Sequence, residues 1–303
     1  MSASGNIRIG ISGWRYKGWR GTFYPPELAQ RRELEFASQR LNSIELNGSF
    51  YSLQRPSSFQ RWYEETPPDF VFSVKGTRFI THMLRLLQVE TPLANFFAQG
   101  LLRLKEKLGP ILWQFPANFK WDPDRLESFF SILPRTHKEA ARLAKRHDER
   151  LDGRSWFNVR DDRPLRHAIE IRNDSFVREE FIALLRKHKV ALVAADTVEW
   201  PLLMDLTADF VYCRLHGSEV LYASGYDRDA IERWANRAVQ WARGGEVEDG
   251  KKASATHGPA AKSRDVFVYF DNDAKVRAPF DAMQLRTRVS ELQSQPPSPS
   301  TSH

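Results

Sequence analysis

Charged and polar side chains recur at every second position of several short apolar runs in this chain. In 43–47, Glu45 and Asn47 project to one side while Ile44 and Leu46 project to the other. Ser73 and Lys75 repeat the pattern in 70–75, Gln114 interrupts 111–115, and Glu170 and Arg172 share a side of 168–172. The run 191–195 leads into Asp196, and Tyr212, Arg214 and His216 alternate with Val211, Cys213 and Leu215. An unpaired buried charge costs several kcal/mol, so these groups must answer one another or a ligand. Glu45, Glu170 and Asp196 face Lys75, Arg172, Arg214 and His216. The chemistry this set could carry has Glu45 or Glu170 as general base or acid. Lys75 would stabilise developing charge or, less readily, attack as a nucleophile. Arg172, Arg214 and His216 would hold a phosphate or carboxylate. The competing reading is an ion-pair network that only holds the fold together.

Side chains with donors or stacking faces follow the same runs. Ser12 and Trp14 come after the first, Tyr51 after the second, and Arg78 and His82 after the third. Tyr226 follows the seventh and Asn272 the eighth. Together they suggest an enclosed pocket with aromatic walls around a small anionic ligand.

Eight strands must position these groups: 7–12, 43–47, 70–75, 111–115, 168–172, 191–195, 210–216 and 266–270. Helical patterns separate them, which argues for a parallel sheet with helices outside it. Eight units in 303 residues predict a closed (β/α)8 TIM-like barrel, with an open doubly wound sheet as runner-up. Strand ends of such folds carry the chemistry, here the mouth at the carboxyl ends. Pro56 and Asp122-Pro123 open helices, and a long helix is expected from Thr91-Pro92 to just before Gly109. Only 197–209 links strands six and seven, and it contains Pro201, so one βα unit is degenerate. The segment 135–166 reads as an insert between strands four and five with a helix at 138–150. The segment 244–264, GGEVEDGKKASATHGPAAKSR, reads as a disordered loop, and 293–303 as a disordered Ser/Pro tail. Residues 1–292 are therefore expected to form one domain.

Composition narrows the classes. No apolar run reaches the length of a membrane span, and the start MSASGNIRIG lacks the features of a signal peptide. The single cysteine, Cys213, allows no internal disulfide and no thiolate cluster, so a reducing cytoplasm is expected. The chain has no GxxxxGK[ST], GxGxxG, HExxH or GxSxG, and no cofactor is expected. A metal on Glu45, Glu170, Asp196 and His216 is conceivable, but Lys75, Arg172 and Arg214 would neutralise its carboxylate ligands, so none is expected. The formal charge is +7, and 135–166 alone holds ten Lys/Arg against six Asp/Glu. Such a segment can attract nucleic acid, which makes a nucleic-acid-binding or nuclease-like barrel one alternative and a non-catalytic scaffold another.

The stretches IGISGWRYKGWRGTFYP, IELNGSFY, SFQRWYEETP, FVFSVKGTRFITH, LGPILWQFPANF, HAIEIRNDSF, VYCRLHG and VYFDND resemble the YecE-like family, a domain of unknown function. The resemblance runs from Ile7 to about Leu285. It implies a TIM-barrel-like fold and no particular reaction. Two positions depart from the family pattern. Arg172-Asn173 stands where the family usually shows Arg-His, and Asp271-Asn272 where it often has two asparagines, which adds a negative charge at the barrel rim.

Overall fold

The computed structural model describes residues 4–217, 225–272 and 275–294. Its strands are β1 (Ile7–Ser12), β2 (Ser43–Leu46), β3 (Val71–Lys75), β4 (Leu108–Gln114), β5 (His167–Glu170), β6 (Ala191–Asp196), β7 (Phe210–Leu215) and β8 (Asp265–Phe270). They pair in chain order, all parallel, and β8 closes on β1, so the predicted barrel is what forms. Helices α1 (Glu33–Ser38), α2 (Gly48–Tyr51), α3 (Pro56–Glu64), α4 (Glu90–Ala98), α5 (Pro123–Ile132), α6 (His137–Ala144), α7 (Glu179–Lys187), α8 (Arg228–Ala242) and α9 (Ala278–Ser294) connect them. None of the described helices is long and apolar enough to cross a membrane.

Period-two alternation builds two separate cores. The outward side chains of the strands, such as Ile9, Ile44, Val74, Trp113, Ile169 and Val211, pack with the helices in one cluster. The inward ones, including Leu112, Ala168, Val193, Tyr212, Phe267 and Tyr269, form a second cluster inside the barrel. The lumen is thus filled at mid-height, with the buried charges of Glu45, Glu170 and Arg214 above it and Arg166 paired to Asp265 at the amino ends of the strands.

Local departures have clear causes. Asp122 caps α5, its side chain accepting from the Arg125 N–H. The long helix expected up to Gly109 is split. Gly100 takes φ +106° after α4, and the chain continues as a 3-10 turn from Leu101 to Lys107. The helix expected at 138–150 ends at Ala144. Its start is a variant of the capping box: the N-cap Thr136 accepts from the Glu139 N–H while Glu139 accepts from the N–H of the preceding Arg135.

The segment 197–209 forms no helix, as its length predicts. Leu203, Met204 and Leu206 instead lie buried beside the outward side chains Leu192 and Ala194 of β6. This explains the fate of 244–264, whose reading as a disordered loop needs correction. It has no helix or strand, yet it is anchored throughout. Asp205 accepts from the N–H groups of Ala253 and Ser254 at 2.8 and 3.0 Å, and the Met204 N–H donates to the Lys251 carbonyl. Glu246 accepts from Lys252 and from the Gly258 N–H, and buried Arg264 donates to the Gly244 carbonyl at 2.7 Å. The loop lies on the face that a β6–β7 crossover helix would otherwise cover. The start of the predicted tail is helical to Ser294, and the remainder lies outside the described residues.

Candidate active site

Arg214 occupies the barrel axis above Tyr212, fully buried. Its guanidinium spans the lumen. Nε and Nη2 donate to the two Glu45 oxygens at 3.1 and 3.0 Å, a bidentate fork. Nη1 donates to Glu170 at 2.6 Å, and Nη2 also to Asp271 at 2.7 Å and Ser12 Oγ at 3.1 Å. Glu45 accepts further bonds from Ser12 Oγ and the Tyr212 hydroxyl, both at 2.6 Å. Asn47 donates to Ser12 Oγ at 2.8 Å, and Arg172 Nε donates to Glu170 at 2.7 Å. His216 lies 3.2 Å from Asp271 and 3.6 Å from Glu170.

This network fixes its own charge states. Burial alone would raise Glu170, but Arg214, Arg172 and His216 outweigh it and hold the carboxyl well below the usual range. Asp271 is held low in the same way, by Arg214 and His216 against burial. Burial pushes the Tyr212 hydroxyl well above its ordinary value, with the Glu45 charge adding to it, so it stays a neutral donor. At neutral pH the carboxylates of Glu170 and Asp271 are ionised and committed to cations, which leaves them poor proton donors.

Lys75 behaves differently. It ends β3, and its carbonyl accepts from Ser49 Oγ at 2.6 Å, while the next residue's N–H donates to the Leu112 carbonyl at 2.7 Å. That next residue is glycine because a Cβ there would lie 2.3 Å from the Trp113 ring. The side chain is only 8% exposed. Its ammonium lies 4.3 Å from the centre of the Phe50 ring, and among the described residues no carboxylate or hydrogen-bond acceptor reaches it. Burial pulls it down to about 8, Arg214 pushes the same way, and Glu45, Asp271 and Glu170 offset part of this. His82 packs edge-on against the same Phe50 ring, 5.2 Å between centroids, and its Nδ1 lies 2.8 Å from Thr81 Oγ1. Burial, followed by the positive charges of Lys75, Arg172 and Arg78, lowers His82 to about 4, so it is neutral at pH 7. Arg78 reaches over the exposed Tyr51 ring at 5.7 Å, and Arg172 stacks on Trp200 at 4.0 Å, which in turn meets His216 edge-on.

The expected set therefore divides. Ser12, Glu45, Asn47, Glu170, Arg172, Arg214 and His216 form one network, and Lys75, Arg78, His82 and Tyr51 form a cationic rim beside it. Gln114 stands opposite Glu170 in the β4–β5 register. Four residues belong elsewhere. Asp196 does not face the bases: it shares the outward parity of Leu192 and Ala194 in β6, and its carboxylate accepts from Trp234 of α8 at 3.0 Å. Tyr226 sits beside it, its hydroxyl accepting from the Gly217 N–H, and Asn272 donates to Asp281 of α9 at 2.9 Å. Trp14 packs edge-on against Trp62 of α3, as core. Two network members were not among the expected site residues. Asp271 continues the inward alternation Phe267, Tyr269, Asp271 one step past the end of β8, and Tyr212 lies on the Arg214 side of β7. Among the described residues, no group of three His, Cys, Asp or Glu side chains has the geometry to hold a metal ion.

Residues 8–303 match the family described as "Protein of unknown function DUF72". The chain is 25% identical over 254 residues to the UPF0759 protein YecE of Escherichia coli K12, covering 78% of this chain and 82% of that protein. It is 32% identical over 118 residues to the UPF0759 protein YunF of Bacillus subtilis, covering 37% of this chain and 41% of that protein. A DUF72 family crystal structure from Thermotoga maritima superposes with a TM-score of 0.69 at 23% identity, covering 94% of this chain and 99% of that one. A second, from Enterococcus faecalis, gives 0.65 at 16% identity, covering 94% and 95%. The ordered motifs and the closed parallel barrel are those of a known group: the chain belongs to the DUF72 family of proteins of unknown function.

Proposed function

We propose that the barrel mouth binds and transforms a small anionic molecule, in hydrolase- or lyase-like chemistry, with Lys75 as the group that meets it. The observation that carries this reading is the Lys75 ammonium, nearly buried and without a carboxylate partner among the described residues, with Arg172 and Arg78 acting on the same His82 that it does. A cation left unanswered by the protein is answered by a ligand. Glu45 and Glu170, considered as acid or base from sequence, fit better as the frame that holds Arg214 and Arg172 in place. A reducing cytoplasm suits the buried thiol of Cys213. The test is thermal denaturation of wild type and Lys75→Met in phosphate and in short mono- and dicarboxylates, against chloride at matched ionic strength. At least one anion should raise the wild-type midpoint by several degrees and leave Lys75→Met unmoved. Equal responses in both proteins would refute the assignment.

A second reading, nucleic acid on the basic insert, is favoured by one feature. Lys105, Lys138, Arg142, Lys145, Arg160 and Arg163 line a groove of about 850 Å³ that also holds Trp156 and Phe157. Such a surface suits weak, salt-dependent contact with a polyanion. Retention of a single-stranded oligonucleotide should fall steeply between 50 and 200 mM salt, and Arg142→Ala/Lys145→Ala should reduce it. Binding that survives both changes would move nucleic acid to the barrel mouth and ahead of the first reading.

A further inference from the structure

We propose that Lys75 forms an imine with an anionic aldehyde or ketone, a short 2-oxo acid being the simplest, seated in the barrel mouth. This rests on the anion-binding reading above and adds the identity of the reacting group on the ligand. An imine-forming lysine must be free of a carboxylate clamp, partly neutral, shielded from bulk water and next to an anion-holding group. Lys75 meets each condition. Glu45, Glu170 and Asp271 act on it only through space and are all hydrogen-bonded to Arg214. Its side chain is nearly buried over Phe50, and its backbone is pinned on both sides. With the ammonium lowered to about 8, about a tenth of it is neutral at pH 7. Arg172 and Arg78 supply positive charge for the carboxylate of the oxo acid.

The step balances without oxidant or reductant. The neutral Nζ attacks the carbonyl carbon, the C–N bond forms, and the π pair moves to oxygen, which takes a proton. The carbinolamine nitrogen loses a proton, the hydroxyl takes one and leaves as water, and a protonated imine remains. Neutral His82, which meets the same Phe50 ring edge-on and feels the Lys75 charge, is the proton relay within this rim. The imine then serves as an electron sink for breaking a bond next to the former carbonyl, which is lyase chemistry.

The full-length protein is incubated with pyruvate, glyoxylate or uncharged pyruvamide, reduced with cyanoborohydride, and read by intact mass and peptide mapping. A single adduct on Lys75 is expected with the two acids, formed at least tenfold faster than with pyruvamide and slowed by inorganic phosphate. Lys75→Arg should give none at that rate. Because mapping on the wild type locates the adduct, the result stands even if the variant folds poorly. Adducts spread over exposed lysines, or absent while phosphate still raises the melting midpoint, would overturn the imine and leave the anion site standing. Absence of both the adduct and the phosphate response would overturn both.

Discussion

Two charged regions share the carboxyl end of this barrel, close enough to feel each other's charge, and they treat charge in opposite ways. Each nitrogen of the Arg214 guanidinium has an acceptor, and three carboxylates close on it. Around Lys75 the cation rests on an aromatic face with no counter-ion within reach among the described residues. A satisfied buried network resists change and needs no visitor; an unsatisfied one is tolerated only where something else compensates. The difference identifies the Arg214 network as framework and the Lys75 rim as the place where a ligand is handled.

The comparison breaks most decisively if Arg214 is dispensable. Arg214→Met should strand Glu45, Glu170 and Asp271 together, costing at least about 5 kcal/mol in urea denaturation or preventing folding. Next is Glu45→Gln, which keeps shape but removes one arm of the fork and an acceptor for Ser12 and Tyr212. It should cost about 3 kcal/mol. A loss below about 1 kcal/mol would place Glu45 in the working site after all.

Lys75→Met sharpens the contrast with a change of opposite sign. Removing an unanswered cation should stabilise the ligand-free protein by about 1–2 kcal/mol at pH 7. The pH dependence follows from its lowered value of about 8 against 10.5 unfolded. Between these limits the unfolded wild type holds more protons than the folded, so wild-type stability rises with pH relative to Lys75→Met and the gap closes. Parallel stability curves from pH 7 to 10.5 would contradict this. On the acid side Glu170 and Asp271, also lowered on folding, give a slope of the same sign. Their contribution is complete above the ordinary carboxylate range and is lost as pH falls through their lowered folded values. The smallest expected effect lies outside both regions: Asp205→Asn should cost about 1 kcal/mol by weakening its caps on Ala253 and Ser254.

Alternation made the barrel legible, because each strand keeps its polar residues in step with its inward face. The same rhythm brought Glu45, Lys75, Glu170 and Arg214 together on paper, and extended by one position it would have added Asp271. It was applied too loosely at two strand ends, and it is silent where regular structure stops. Asp196 keeps step with Leu192 and Ala194, and Asn272 with Val268 and Phe270, so both belong to the outward face. Trp200, in the irregular 197–209 segment, has no periodicity to reveal its stacking with Arg172. The 244–264 loop misled for a different reason. Its anchors, Glu246, Ser254 and Arg264, are the residue types that ordinarily mark solvent, and only the fold shows what they hold.

That loop also sets an order of events during synthesis. Leu203, Met204 and Leu206 have left the ribosome long before the loop that covers them. Nearly 60 residues separate Leu206 from Arg264, which at about 5–20 residues per second is roughly 3–12 s of waiting. Through that interval the nascent chain presents an apolar flank that its own later sequence must reach. It is in that window that a chaperone, or another unfinished chain, would compete for it.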